Sequence, residues 1–417
     1  MYLGARKITS INTVLNILFF VFLLFRYEIP LTFLNISITA IILMIYYIFN
    51  VFNLEKGKYN FEDFVNSTIV YGVLIVIFSN ILIFHRTKTI FTLLYLFQNL
   101  TKILFYYFYV RNRNILVIGN NGQVEELKEI IANNEYYNLV GELSADKISD
   151  ISEQIRKKKV SKIIITEENV DSKLAIQILE EKLKGIQVFD YLSFYEKLEE
   201  KVPVKSIDEK WILFGSGYDI LYKNFNIRIK RIVDIFAALC IGLVTVPIMI
   251  ISALIVKLES KGPVFFKQSR IGLGNKPFMV YKFRSMKLHN EKEHSRYAED
   301  NDDRITKFGN FMRKTRIDEL PQLWNVLIGE MSFVGPRCEW DKLCKEYEKE
   351  IPFYNIRHSV KPGLTGWAQV RYPYGMGVED ALQKLTYDIY YIKHQNLAFD
   401  LVILFKTVKI VVFGRGR

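Results

Sequence analysis

Four apolar runs crowd the first 110 residues, at about 11–27, 31–53, 66–84 and 90–110. Each is close to the ~20 residues a helix needs to cross the hydrocarbon core of a bilayer. So many long runs in quick succession predict a four-helix transmembrane domain over residues 1–110 rather than a soluble core. Four spans return both ends of that domain to one side. Arg6, Lys7, Lys56, Lys58, Arg111 and Arg113 fall on that side, against Arg26, Arg86 and Lys88 on the other. The positive-inside rule then places the ends in the cytoplasm. Lys102 interrupts the fourth run and is expected to snorkel to the interface or to shorten the span. The first run lacks a small-residue cleavage site and is followed at once by another span, so it does not read as a cleavable signal peptide.

Residues 114–190 change character. Ile115 to Gly119 reads as a buried strand and Gln123 to Ala132 as a helix, and strand signals recur at 138–141, 160–166 and 186–190. Strands alternating with helices predict an α/β, Rossmann-like parallel-sheet domain over residues 111–190. The turn Gly119-Asn120-Asn121-Gly122 stands where a phosphate-binding loop would, and Glu142 where a ribose-binding acid would. Asn121 and Val124 occupy the second and third glycine places, so a plain strand-to-helix turn is the preferred reading. Residues 191–225 read as a linker, and the last domain spans 226–417.

Half of the residues are hydrophobic and 24% are charged, which fits apolar spans joined to soluble parts. The formal charge of +12 attracts anions; with no nucleic-acid motif present, acidic lipid and phosphorylated substrates are the expected partners. Cys240, Cys338 and Cys344 have neither metal-ligand spacing nor an even count, so no disulfide framework is expected.

A fifth apolar run covers about 230–256, after Lys230-Arg231-Ile232-Val233-Asp234. If it crossed the bilayer, everything beyond it would lie outside the cell. Pro247 sits in mid-run, where it removes a hydrogen bond and kinks a helix. The expectation is a re-entrant helix broken at Pro247; an ordinary kinked span is the alternative. Leu397 to Phe413 is apolar but carries Asp400, Lys406 and Lys409, which suggests a helix lying in the interface.

The densest chemical signal is Arg313-Lys314-Thr315-Arg316-Ile317-Asp318-Glu319-Leu320-Pro321-Gln322. Proline is favoured in a first helical turn, so Asp318 and Glu319 are expected at a helix N-terminus, where the dipole favours anions. One carboxylate can attack phosphorus and its neighbour can hold Mg²⁺. Arg313 and Arg316 match phosphate oxygens. Lys282 and Arg284 alternate on an expected strand, Arg337 follows the rigid Gly335-Pro336 turn, and Lys361 to Trp367 forms a second Gly/Pro turn. The acidic loop 299–303 is a rival metal site.

In these residues the chain from about Phe225 onward resembles the bacterial sugar transferases, the monotopic polyprenyl-phosphate phosphoglycosyl transferases. The matching pieces are Lys230 to Asp234, Gly262 to Phe266, Arg270 to Gly272, Lys282 to Met286, 302–306, Asp318 to Leu323, Gly335 to Arg337 and Lys361 to Val370. The whole chain resembles the long form, with four spans and a Rossmann-like domain before an α+β monotopic catalytic domain. The resemblance implies transfer of a sugar-1-phosphate from a UDP-sugar to undecaprenyl phosphate, with UMP released, to begin an exopolysaccharide, capsule or O-antigen. It implies that Asp318 is the nucleophile, that Glu319 acts with Mg²⁺, and that Lys282, Arg284, Arg313 and Arg337 lie near the phosphates. It places the chain in the bacterial inner membrane as a multi-pass protein with its catalytic domain on the cytoplasmic face. Val246 stands where the family usually has serine before the bend proline. A one-step transfer through the acidic loop and an inactive membrane scaffold are the alternatives, and a homodimer is an expectation from architecture alone. The sequence does not report which sugar is carried.

Overall fold

The computed structural model describes residues 5–26, 68, 71, 87–109, 114–134, 137–144, 151–167, 170–214, 224–287, 304–373 and 375–412. The runs expected at 31–53 and, but for two residues, 66–84 lie outside the described residues, as does the acidic loop 299–303. The chain forms two compact units, Met1–Phe194 and Tyr195–Arg417.

In the first unit, helices α1 (Ala5–Arg26) and α2 (Thr87–Tyr109) pack together, with Phe19 stacked on Phe97 at 4.0 Å. A polar seam joins them: the Asn16 amide donates to the Asn12 carbonyl at 2.8 Å and to Thr101 Oγ1 at 3.4 Å. Lys102 does not snorkel. It is 1% exposed, next to Thr101 in the seam.

Strands β1 (Asn114–Ile118), β2 (Asn138–Leu143), β3 (Lys162–Ile165) and β4 (Gln187–Asp190) alternate with helices α3 (Gly122–Ala132), α4 (Ile151–Lys158) and α5 (Ser172–Leu183). The strands pair in parallel in the order β2-β1-β3-β4. Apolar runs such as Ile115 to Ile118 and Ile163–Ile164 are fully buried because both sheet faces are covered, as parallel sheets require.

The second unit opens with α6 (Tyr191–Glu199), whose first residues belong to the first unit, and α7 (Glu209–Phe214). Part of the stretch expected as a linker is docked. Glu196 accepts from Lys393 and pairs with His394, each at 2.6 Å; Val202 N donates to Thr386 O at 3.0 Å, and Trp367 Nε1 to Glu200 O at 2.8 Å.

Helix α8 (Asn224–Glu259) contains Pro247 and is one uninterrupted helical run of 36 residues, about 54 Å if straight. Among the described residues it alone is long and apolar enough to cross a membrane, with a mean hydropathy of 2.7 and little of it buried. Its two limbs are both anchored in the same fold. Ala238 is buried in a cluster with Val280, Leu323, Val326, Met331 and Cys338. Val256 is buried in another, with Phe283 and Met312. Between these anchors Leu243, Val244, Ile250 and Ile251 are exposed. Val280 and Phe283 are about 10 Å apart on one strand, whereas Ala238 and Val256 would be about 27 Å apart on a straight helix.

The rest of the unit is α+β. Strands β5 (Phe265–Ile271) and β6 (Pro277–Phe283) form an antiparallel hairpin. Helices α9 (Lys307–Thr315) and α10 (Gln322–Ile328) follow, then β7 (Ser332–Val334), α11 (Asp341–Glu350), β8 (Gly363–Thr365), α12 (Trp367–Arg371), α13 (Val378–His394) and α14 (Leu397–Val412), with β7 and β8 parallel. Helix α14, expected to lie in the interface, turns one of its charges into the fold. Asp400 is buried and accepts from Lys230 at 2.6 Å and from Tyr391 Oη at 2.7 Å, and Ile403 is fully buried.

Candidate active site

Thr306 caps α9, its hydroxyl accepting from Gly309 N. The helix ends at Arg316, whose left-handed conformation (φ 60°) reverses the chain. A 3₁₀ turn over Ile317–Glu319 follows, and Leu320 and Pro321 carry helical dihedrals into α10. Asp318 and Glu319 therefore lie at the N-terminal end of α10, as expected, in a 3₁₀ turn that leads into it. The cause is local: the reversal at Arg316 starts a new turn, and Pro321, with no N–H, delays the α-helical ladder to Gln322. Gly329 (φ 92°) closes the helix by donating to Asn325 O and Val326 O.

Glu319 is the electrostatic hub. Its Oε1 accepts from Lys282 Nζ at 2.7 Å and from Arg337 Nη2 at 2.9 Å. Burial works against its charge, but Lys282, Arg337 and Arg316 hold the carboxyl well below the ordinary glutamate range. Asp318 is shifted the other way. Burial and the neighbouring Glu319 charge raise it, against the pull of Lys282, Arg316 and Arg337. Asp318 Oδ1 is buried and accepts no hydrogen bond. Two adjacent carboxylates pushed in opposite directions, one of them an orphaned acceptor, single this turn out as the candidate site.

Arg337 is aimed by a knot of glycines. Gly335 N donates to Thr365 O and Gly363 N to Pro336 O, each at 2.9 Å. A Cβ on Gly335 would lie 2.3 Å from Lys361 O, and one on Gly363 2.1 Å from Gly335 N, so the two Gly/Pro turns interlock only without side chains. Behind them Arg357 donates to Arg337 O at 3.0 Å and bridges Asp388 at 2.8 Å, both residues being buried.

Of the residues expected around the phosphates, Lys282 and Arg337 meet at Glu319, and Arg316 adds its field to both carboxylates. Arg313 has a buried Nη1 with no hydrogen-bond partner. Arg284 is differently employed. It donates to the Ser260 and Lys261 carbonyls at 2.7 and 2.9 Å and so ties the end of α8 to the hairpin. Pro247 does not break α8, which runs helical through it, and is no part of the carboxylate–cation cluster. Gln322, Asn325, Arg357 and Asp388 escaped the reading of the sequence. The first two stand in the Asp-Glu-Leu-Pro-Gln segment or just beyond it, but polarity alone gives no reason to select them.

Among the described residues no three His, Cys, Asp or Glu side chains gather as a metal site. Mg²⁺ needs less, since one or two carboxylates plus substrate phosphate oxygens suffice. Asp318, with its orphaned oxygen, and Glu319 fit that donor set. In the first unit, Gly119 (φ 144°) abuts Thr166, whose Oγ1 would lie 1.9 Å from a Cβ there, and Lys128 pairs with Glu142 at 2.6 Å.

A carboxylate pair set among cations, in an α+β unit that carries one long, exposed, apolar helix, defines the class of the second unit. Residues 225–414 match the family described as bacterial sugar transferase. The UDP-N-acetylgalactosamine-undecaprenyl-phosphate N-acetylgalactosaminephosphotransferase of Aeromonas hydrophila is 46% identical over 234 residues, 56% of this chain and 54% of that protein. The UDP-glucose:undecaprenyl-phosphate glucose-1-phosphate transferase of Escherichia coli is 41% identical over 227 residues, 53% of this chain and 46% of that one. The exopolysaccharide production protein PSS of Rhizobium leguminosarum bv. phaseoli is 43% identical over 193 residues, 44% of this chain and 94% of its own length. The matches span about half the length of the first two relatives. The chain belongs to the bacterial sugar transferase family.

Proposed function

We propose that this chain transfers a sugar-1-phosphate from a UDP-sugar to undecaprenyl phosphate, as the names of the relatives say of those proteins, and that it does so at the cytoplasmic face of the inner membrane. The observation that carries the reading is the pairing of an ionised Glu319, clamped by Lys282 and Arg337, with a buried Asp318 whose Oδ1 has no partner.

The Asp318 carboxylate attacks the phosphorus that bears the sugar. The bond from that phosphorus to the bridging oxygen breaks, and UMP leaves with the electron pair. An oxygen of undecaprenyl phosphate then attacks the same phosphorus, the Asp318 carboxylate departs, and a lipid diphosphate sugar results. Glu319 orients Lys282 and Arg337 rather than reacting itself. These cations, with Arg313 and Arg316, face the charge that develops on phosphoryl oxygens. Burial that raises Asp318 also makes its carboxylate a stronger nucleophile once ionised. Mg²⁺ held by Asp318 and Glu319 would neutralise diphosphate charge.

Helix α8 delivers the site to the lipid. Both limbs rest on the same fold and its middle is apolar and exposed, which supports a helix that enters the membrane, bends near Pro247 and leaves by the same face. The four-span and Rossmann-like domains of the long form, and Mg²⁺ as cofactor, are part of the same proposal. Asp318→Asn is expected to abolish UMP release from purified protein supplied with UDP-sugar. Full turnover by that variant would refute the reading.

A further inference from the structure

We propose that Gln322 is a further substrate-contacting residue, its side-chain amide donating to a non-bridging oxygen of the phosphoryl group taken by Asp318; this rests on the reading of Asp318 as nucleophile. Gln322 is 4% exposed, and its Nε2 has no hydrogen-bond partner. A buried amide N–H₂ left unpaired destabilises the fold, so its retention needs a reason.

Position supplies one. The 3₁₀ turn at Ile317–Glu319 passes through Leu320 and Pro321, both helical, into α10 without an extended residue. Residues 318 and 322 are therefore about one helical turn apart on the same face. Helical side chains lean toward the N-terminus, so Gln322 leans back toward the turn that carries Asp318.

The unmet needs around that turn are complementary. Asp318 Oδ1 is an orphaned acceptor, whereas Arg313 Nη1 and Gln322 Nε2 are orphaned donors. A phosphoryl group answers both, offering phosphorus to the carboxylate and oxygens to the donors. Lys282 and Arg337 each already donate to Glu319. Gln322 adds a neutral donor that leaves the charge of the site unchanged. Its helix is also pinned in place: Asn325, fully buried, donates to Met279 O at 2.7 Å and accepts from Tyr281 N at 3.3 Å.

The test uses the full chain in detergent or nanodiscs, with radiolabelled UDP-glucose, UDP-galactose, UDP-N-acetylglucosamine and UDP-N-acetylgalactosamine and no acceptor lipid. Gln322→Met keeps the volume and removes the donor. With the sugar nucleotide that labels wild type, it is expected to slow appearance of label on Asp318 by about 10- to 100-fold while its Tm equals or exceeds that of wild type. Gln322→Glu, which presents an anion to the phosphate, is expected to fall at least as far. Labelling of Gln322→Met at the wild-type rate overturns the proposal. So does a Tm well below wild type, which would make Gln322 a structural residue. Wild type that accepts label from no donor defeats the nucleophile reading itself, an outcome separable from the other two.

Discussion

Glu319 and Asp318 are neighbours in sequence and opposites in chemistry, because only one of them touches the cations. Lys282 and Arg337 both donate to Glu319, and the charge they stabilise then disfavours ionisation of Asp318. Glu319→Gln removes that repulsion and frees both cations to act on Asp318, so the Asp318 pKa falls. The acid limb of label formation, set by ionised Asp318, should therefore move to lower pH even as the maximal rate drops. A limb that stays in place or moves upward contradicts the assignment. Arg284 is expected to behave otherwise. Its hydrogen bonds go to the carbonyls of Ser260 and Lys261, so Arg284→Met should cost about 2–4 kcal/mol of stability, read as a lower Tm, with little change in KM for the sugar nucleotide. That Lys282 and Arg337 come together was legible as a series of cationic segments in one domain; that they share one carboxylate was not. The diversion of Arg284 was not, because strand alternation says which face a residue takes and nothing about which carbonyls wait there.

At the scale of elements, the sequence-level reading succeeds where a pattern has one physical solution. Apolar strands alternating with helices give the parallel sheet, and the Gly335-Pro336 turn follows β7 as expected, whereas Gly363 to Thr365, expected within a second turn, is strand β8 paired with β7. The interlock around Gly335 and Gly363 could not be read, since it depends on the close approach of backbone segments about 28 residues apart in the chain. Gly335→Ala is expected to drive a methyl into Lys361 O, displace Arg337 and lose about 1–3 kcal/mol of stability, with kcat falling more than KM rises. Circular dichroism melts and steady-state UMP release check the two parts. The position of Asp318 and Glu319 at the N-terminal end of α10 was legible, but their 3₁₀ turn was not, because Pro321 reads equally well as a first-turn residue or as the residue just ahead of the helix. Burial of Lys102 and Asp400 was missed because partners distant in sequence, such as Lys230 for Asp400, carry no local signature.

For the whole molecule, the family match begins at residue 225, but the compact unit begins at Tyr195. Glu196, Glu200 and Val202 bond to Lys393, His394, Trp367 and Thr386. A chain starting at Tyr195 should therefore melt several degrees above one starting at Phe225 when both are compared in the same detergent. The membrane topology is tested separately: Lys261→Cys, just past α8, should resist impermeant thiol reagents added outside intact cells, whereas a helix that crosses would expose it. The central claim is chemical, and one measurement addresses it most directly. Purified protein is mixed with labelled UDP-sugar in the absence of lipid acceptor, digested and mapped by mass spectrometry. A sugar-phosphate adduct on Asp318, formed with release of UMP and discharged by added undecaprenyl phosphate, is the predicted result. Product formation with lipid present but no adduct at Asp318, or an adduct that persists in Asp318→Asn, would contradict the account.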